Sequence, residues 1–250
     1  MRIFIFGPKQ RTTVFICAAL LLAGFACHLS APSAERAVFE HMTGDIYYPA
    51  AEPVEQTSVF IPPGSGYAIW VDLDSRTAAV YKDGALHITY PVSGGAAGTP
   101  SPLGTFQIIA KASWGEGFGG SWLALNVPWG KYGFHGTLEP WSVGVRNGSK
   151  GCIRMKNSDA AHLKKYIPIG TSVTITQNDP PFRALKNGKA GSDVLKIQKS
   201  LRLLKFYSGP CDGRFGNQTE LAVRQFQKAY GLKADGVVGR GTHSRLFGEK

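Results

Sequence analysis

Cysteine is scarce in this chain: four in 250 residues, of which Cys17 and Cys27 fall in an N-terminal apolar stretch, leaving Cys152 and Cys211 in the body. Two cysteines in an exported chain would ordinarily suggest a disulfide, but they stand in what read as separate modules. Acidic side chains are also few, 17 against 28 Lys and Arg, for a formal net charge of +11. Long hydrophobic runs are missing. The run from Val14 to Cys27 falls short of the roughly 20 residues that span a bilayer. His-x-Glu zinc signatures are absent, and His41, His87, His162 and His243 show no metal-ligand spacing, so neither a metal nor another cofactor is expected. No recognised nucleic-acid motif occurs, which argues against a nucleic-acid partner despite the charge.

What is present is glycine and proline, 31 and 15 residues beside 43% hydrophobic ones. That mixture favours turn-rich β architecture over a helical bundle. Lys9 and Arg11 precede the apolar run, and a small, weakly polar stretch follows it through Ala34. This pattern predicts export by a signal peptide or an N-terminal membrane anchor over residues 1–34. Residues 35–65, with Pro49, Pro53, Pro62 and Pro63, read as an acidic linker,. The positive excess sits at the other end: 184–250 carries 13 basic and 5 acidic side chains. On an exported protein such a surface suits anionic wall polymers.

From Tyr67 the pattern is β-like. Strands are expected over 67–73, 77–81, 85–90, 105–110, 122–127, 132–135 and 172–176, with Asp83-Gly84 as a hairpin turn and 159–166 as a helix,. After Asn178-Asp179-Pro180-Pro181 the period becomes helical. Val194, Ile197, Leu201 and Leu204 share one face, and Ala222, Val223, Phe226, Ala229 and Tyr230 share another, with Gly231 ending that helix,. The turn Asp212-Gly-Arg-Phe-Gly-Asn-Gln-Thr219 recurs at Asp235 to Thr242, in each case putting a threonine where its hydroxyl can cap a helix,. The chain thus divides into 66–177, a short linker at 178–183, and a compact three-helix unit at 184–250. The Pro-rich junction implies separate cores.

The chemistry concentrates between His135 and Met155, H-G-T-L-E-P-W-S-V-G-V-R-N-G-S-K-G-C-I-R-M. A cysteine kept for its reactivity needs a base to form the thiolate and donors to hold the oxyanion that follows attack. His135 is the candidate base for Cys152, and the Gly151-Cys152 backbone supplies candidate donors. Trp114, Trp122, Trp129 and Trp141 are candidates either for a cleft wall or for the core.

Several segments together carry a resemblance. Thr99 to Phe106, the Tyr-Gly-Phe-His-Gly-Thr segment ending at Thr137, Ser149 to Met155, and Gly170 to Val173 resemble the L,D-transpeptidase (YkuD-like) catalytic domain, as does the spacing of 17 between His135 and Cys152. Residues 184–248 resemble the peptidoglycan-binding type 1 domain. The resemblance implies a mostly β, sandwich-like catalytic domain followed by the three-helix domain. Cys152 would attack a peptidoglycan tetrapeptide stem to form a thioester, and an amine of a neighbouring stem would resolve it as a 3-3 crosslink. His135 would move the proton, the Gly136 carbonyl would fix the His135 tautomer, and Gly151 and Cys152 would hold the oxyanion. Arg154 would grip a substrate carboxylate, with Ser149 also placed at the substrate. Cys152 would remain a free thiol.

One position departs from the family. Lys150 stands where histidine usually precedes the Gly-Cys pair, and its cation could modulate the thiol. Two rival readings remain: an L,D-carboxypeptidase, with water resolving the thioester, and a non-catalytic wall-binding protein.

Overall fold

The computed structural model describes residues 60–248. The expected signal or anchor and most of the expected acidic linker, with Cys17, Cys27 and His41, lie outside the described residues. The N-terminal half is built on β1 (Tyr67–Asp72), β2 (Thr77–Lys82), β3 (Ala85–Pro91), β4 (Gly104–Ala112), β5 (Trp122–Leu125), β6 (Tyr132–His135), β7 (Ile153–Arg154) and β8 (Ser172–Thr176). They form a single sheet in the order β3-β2-β1-β8-β4-β5-β6-β7. Asp83 and Gly84, at φ 51° and 80°, make the tight turn between β2 and β3, the two-residue geometry that matches strand twist. An irregularity in the β4–β5 register between Ile108 and Ala110 marks where the sheet bends,. Both halves of the curled sheet feed one core, with Ile69, Val71 and Val80 from one end and Leu123, Phe134 and Ile153 from the other.

Helix α1 (Asn157–Tyr166) closes that core with Ala160 and Leu163. The segment after His135 returns to pair β7 with β6 in parallel, Phe134 opposite Ile153 and His135 opposite Arg154. A two-residue strand is too short to show a period of 2, so β7 left no trace in the sequence pattern.

The C-terminal half contains α2 (Ser192–Leu203), α3 (Asn217–Ala229) and α4 (Arg240–Phe247) around a second core of Val194, Ile197, Leu201, Phe215, Val223 and Phe226. Gly231, at φ 66°, follows the end of α3, as a left-handed helix stop does. Ala229 is exposed and Gln227 is buried instead; the core stripe of α3 is rotated toward Gln227, leaving Ala229 on its edge.

The repeated turns owe their shape to that glutamine and its counterpart. Gln198 Nε2 donates to Asp212 Oδ1, the Arg214 carbonyl and Thr219 Oγ1 at 3.0, 2.9 and 3.2 Å, and its Oε1 accepts the Gly213 N–H at 2.8 Å. Gln227 does the same with Asp235, Val237, Thr242 and Gly236. Thr219 and Thr242 therefore do not cap. Gly216 and Gly239 occupy the cap positions, and each threonine lies inside the first turn, buried against its glutamine. Fully paired buried amides of this kind specify one turn geometry, because an unpaired one is costly.

The two cores are distinct clusters, yet a seam joins them: Ala190 and Leu195 pack against the sheet core. Arg183, at the end of the expected 178–183 linker, is held in that seam with its side chain only 13% exposed.

Candidate active site

The pairing of β6 with β7 sets the geometry. Residues in register on neighbouring strands project to the same face. Phe134 and Ile153 accordingly point into the core, while His135 and Arg154 share the opposite face. Cys152, one residue before β7, falls beside Gly133. His135 and Cys152 therefore lie diagonally across the β6–β7 pair on one face, because the crossover returns the second strand parallel to the first,.

His135 is buried, only 7% exposed. The Phe118 ring meets it at 4.8 Å between centroids and the Trp122 ring at 6.0 Å, and Trp114 stacks on Trp122 at 4.3 Å. Its Nδ1 lies 2.5 Å from the Gly136 carbonyl oxygen. A carbonyl only accepts, so Nδ1 carries the proton and Nε2 is left as a free base. Burial holds the imidazole below its ordinary value; the Gly136 bond works the other way, and the Arg154 guanidinium adds to the depression. The ring is thus poised to be neutral near neutral pH.

Burial pushes the Cys152 thiol up, opposed by the Gly133 backbone and by Arg154. A thiol in that state needs a partner to remove its proton. Glycine is required on both sides of it. A Cβ on Gly133 would sit 2.2 Å from the Leu123 carbonyl oxygen, and one on Gly151, whose φ is +114°, would sit 2.6 Å from the Tyr132 ring.

Three of the expected site residues, Ser149, Gly151 and Lys150, sit in this loop. Ser149, expected at the substrate, is 3% exposed; its hydroxyl accepts the Gly151 N–H at 2.9 Å and donates to the Cys152 carbonyl at 2.6 Å. Ser149 clips the loop closed. The Gly151 N–H, expected as an oxyanion donor, is consumed by that clip, which leaves the Cys152 N–H as the candidate. Lys150 is exposed, and the cation that acts on the Cys152 thiol is Arg154.

Arg154 lies 3.6 Å from a Glu139 carboxylate oxygen. The two line a hollow of about 310 Å³ together with Ser93, Arg146 and Asn147. A second hollow of about 510 Å³ is walled by Trp114, Gly119, Leu138 and Asn157. The residues after His135 run between them, since Leu138 belongs to one hollow and Glu139 to the other. Of the four tryptophans considered, Trp114 and Trp122 back the histidine, Trp129 is buried in the sheet core, and Trp141 is 74% exposed. Cys152 and Cys211 are both free, and Cys211 packs partly against the helical core. Among the described residues, no group of three or more His, Cys, Asp and Glu converges as a metal site would require.

Sequence reasoning missed four contributors. Asn157 Oδ1 accepts the Thr137 N–H at 2.7 Å, pinning the chain just after His135. Phe118 covers the imidazole, Tyr132 backs Gly151, and Glu139 pairs with Arg154. Phe118 had no periodic signal, because it lies on a one-turn 3₁₀ segment (Glu116–Phe118). The closely spaced glycines around it were the available hint: Gly119 and Gly136 approach so tightly that a Cβ on Gly119 would sit 2.8 Å from Gly136 Cα.

A buried imidazole and a shielded thiol thus share one face of a mostly β domain that is followed by a helical unit. Comparison with known proteins gives it a family. Residues 66–175 match the "L,D-transpeptidase catalytic domain" and residues 190–246 the "Putative peptidoglycan binding domain". The "Putative L,D-transpeptidase YkuD" of Bacillus licheniformis is 41% identical over 111 residues, 44% of this chain and 66% of that relative. The "Putative L,D-transpeptidase YqjB" of Bacillus subtilis is 32% identical over 139 residues, 49% of this chain and 78% of that relative. Among solved structures, an L,D-transpeptidase from Mycobacterium smegmatis is 25% identical at a TM-score of 0.39, covering 45% of this chain and 59% of that one. The chain belongs to the L,D-transpeptidase family and carries a peptidoglycan-binding domain. It spans 66% of the length of the Bacillus licheniformis relative.

Proposed function

We propose that this protein is an exported cysteine L,D-transpeptidase that acts on peptidoglycan tetrapeptide stems and forms 3-3 crosslinks. The observation that carries the reading is the Gly136-anchored imidazole on the same sheet face as Cys152, one strand over. His135 Nε2 takes the thiol proton as sulfur attacks the carbonyl of the third stem residue. The tetrahedral oxyanion is received by the Cys152 N–H. Collapse expels D-alanine, which leaves with the proton returned by His135, and a thioester remains on Cys152. The amine of a neighbouring stem then attacks the thioester, loses its proton to His135, and releases Cys152 as the thiol.

Arg154 faces a hollow of stem-residue size, where its guanidinium suits a substrate carboxylate once Glu139 yields. The C-terminal domain tethers the enzyme to the wall, raising the local concentration of stems. Its basic surface suits anionic wall polymers. The N-terminal apolar run and the wall-directed family support export, with any membrane association confined to that segment.

Purified protein incubated with disaccharide-tetrapeptide and read by mass spectrometry tests the reaction. Crosslinked dimer with free D-alanine is expected, and none from Cys152→Ala. Trimmed monomer alone would make the enzyme an L,D-carboxypeptidase, and turnover by Cys152→Ala would refute the covalent route.

A further inference from the structure

The seam between the two domains lies against the nucleophile loop. On one side of the 94–104 loop, the Ser149 carbonyl accepts the Ala96 N–H and the Thr99 hydroxyl, each at 2.9 Å. The Pro100 carbonyl oxygen on the same side lies 3.1 Å from where a Gly151 Cβ would be. On the other side, the Leu103 N–H donates to Ser192 Oγ at 2.7 Å, and that hydroxyl donates back to the Leu103 carbonyl at 3.0 Å. Arg183 Nη1 reaches the Gly98 carbonyl at 3.4 Å. The loop is therefore a spacer with Ser149 on one face and the start of α2 on the other.

A second path runs along the same seam. Gly213, in the first repeated turn, lies so close to Trp129 that a Cβ would sit 2.4 Å from the indole, and Arg214 Nη2 donates to the Pro128 carbonyl at 3.2 Å. Three residues on, Tyr132 carries the ring that backs Gly151. Burial raises the Tyr132 phenol, Cys152 raises it further, and Arg183 and Asp193 also act on it. Tyr132 thus feels the nucleophile and the seam together.

Arg183 is the pin of this arrangement. Its Nε and Nη2 form a two-pronged pair with Asp193 at 2.7 and 2.9 Å, and Nη2 also donates to the Ala190 carbonyl at 2.7 Å. A planar fork held at two points costs little further entropy to aim. A flexible tether would need none of these contacts.

We propose that the helical domain is a working part of the acyl-transfer site, with Arg183 and Ser192 as positioning residues that hold the 94–104 loop and the Trp129–Tyr132 wall against Gly151 and Cys152. The idea deepens the transpeptidase reading and rests on it. Wall binding and nucleophile alignment are then functions of one domain.

The test uses the full chain carrying Arg183→Met, Ser192→Ala or Gly213→Ala, and the charge exchange Arg183→Asp with Asp193→Arg. Acylation of Cys152 by a carbapenem, followed by intact mass, is resolved into a maximal rate and a half-saturating concentration. Cys152 alkylation by iodoacetamide is followed against pH by peptide mapping, and melting curves establish folding. We expect Arg183→Met and Gly213→Ala to lower the maximal rate about tenfold, as small misplacements of reacting groups do, with half-saturation unchanged. The alkylation midpoint should fall toward that of an exposed thiol. Sedimentation with sacculi should not change, and the charge exchange should recover part of the rate. Wild-type rates and alkylation profiles in folded Arg183→Met and Gly213→Ala would overturn the proposal. Failure of wild-type Cys152 to acylate would remove the proposed function instead, and the alkylation profiles would still decide the positioning.

Discussion

Ser149 holds Cys152 from behind: one hydroxyl accepts the Gly151 N–H and donates to the Cys152 carbonyl. The backbone of Cys152 is thereby fixed without using its own N–H.

Ser149→Ala should destabilise the fold by about 1 to 3 kcal/mol, because two backbone groups lose their partner in a buried loop. Acylation of Cys152 should fall more than stability does. Chemical denaturation and carbapenem labelling measure the two, and an unchanged labelling rate would show that the clip does not position the nucleophile.

Gly151→Ala should stop acylation in a folded protein. The residue sits at φ +114°, with the Tyr132 ring 2.6 Å from any Cβ, so the loop must move. Gly98→Ala is the control, since nothing lies within 4 Å of a Cβ there. Equal labelling of both variants would contradict this reading of the loop.

The two central groups predict opposite pH limits. Folded His135 resists protonation, while in the unfolded chain it takes a proton near its ordinary 6.5. Stability should therefore fall as pH drops below that value and level off below the folded imidazole's own pKa. Cys152 resists ionisation, so its contribution is present below the ordinary thiol value of 9.0 and is lost as pH rises through its higher folded value,. Urea titrations against pH should show the acid-side loss reduced in His135→Gln and the alkaline-side loss reduced in Cys152→Ala.

Lys150→Met should leave the alkylation profile of Cys152 superimposable on wild type, whereas Arg154→Met should move its midpoint upward by removing the cation that favours the thiolate,. A shift in the lysine variant with none in the arginine variant would reverse this assignment.

Much of this was legible beforehand, for identifiable reasons. Ser172–Thr176 carries its own alternation and Tyr67–Asp72 is a short apolar run, and Asp83-Gly84 dictates its turn through local dihedrals alone. Cys152 and His135 were marked by residue type and spacing. Contacts made across the fold were not legible. Nothing near Ser149 in sequence says that its hydroxyl turns inward, and Phe118 meets His135 only because Gly119 lets two backbone segments touch. The threonines of the repeat look like caps in sequence because the buried glutamines that claim them lie elsewhere in the chain, 21 residues before Thr219 and 15 before Thr242. Arg183 follows prolines that mark a linker, and its partners Asp193 and Gly98 give no local cue.

Parallel strands cannot be joined by a tight turn, so the chain leaving His135 must travel before it can run beside itself as β7. The residues spent on that journey include Leu138, Glu139, Arg146 and Asn147, which wall the two hollows. Any insertion or deletion there changes the shape of both hollows and the register of His135 against Cys152 in the same event. Substitution along the crossover can reshape the hollows one wall at a time, but its length is tied to where Cys152 lands against β6.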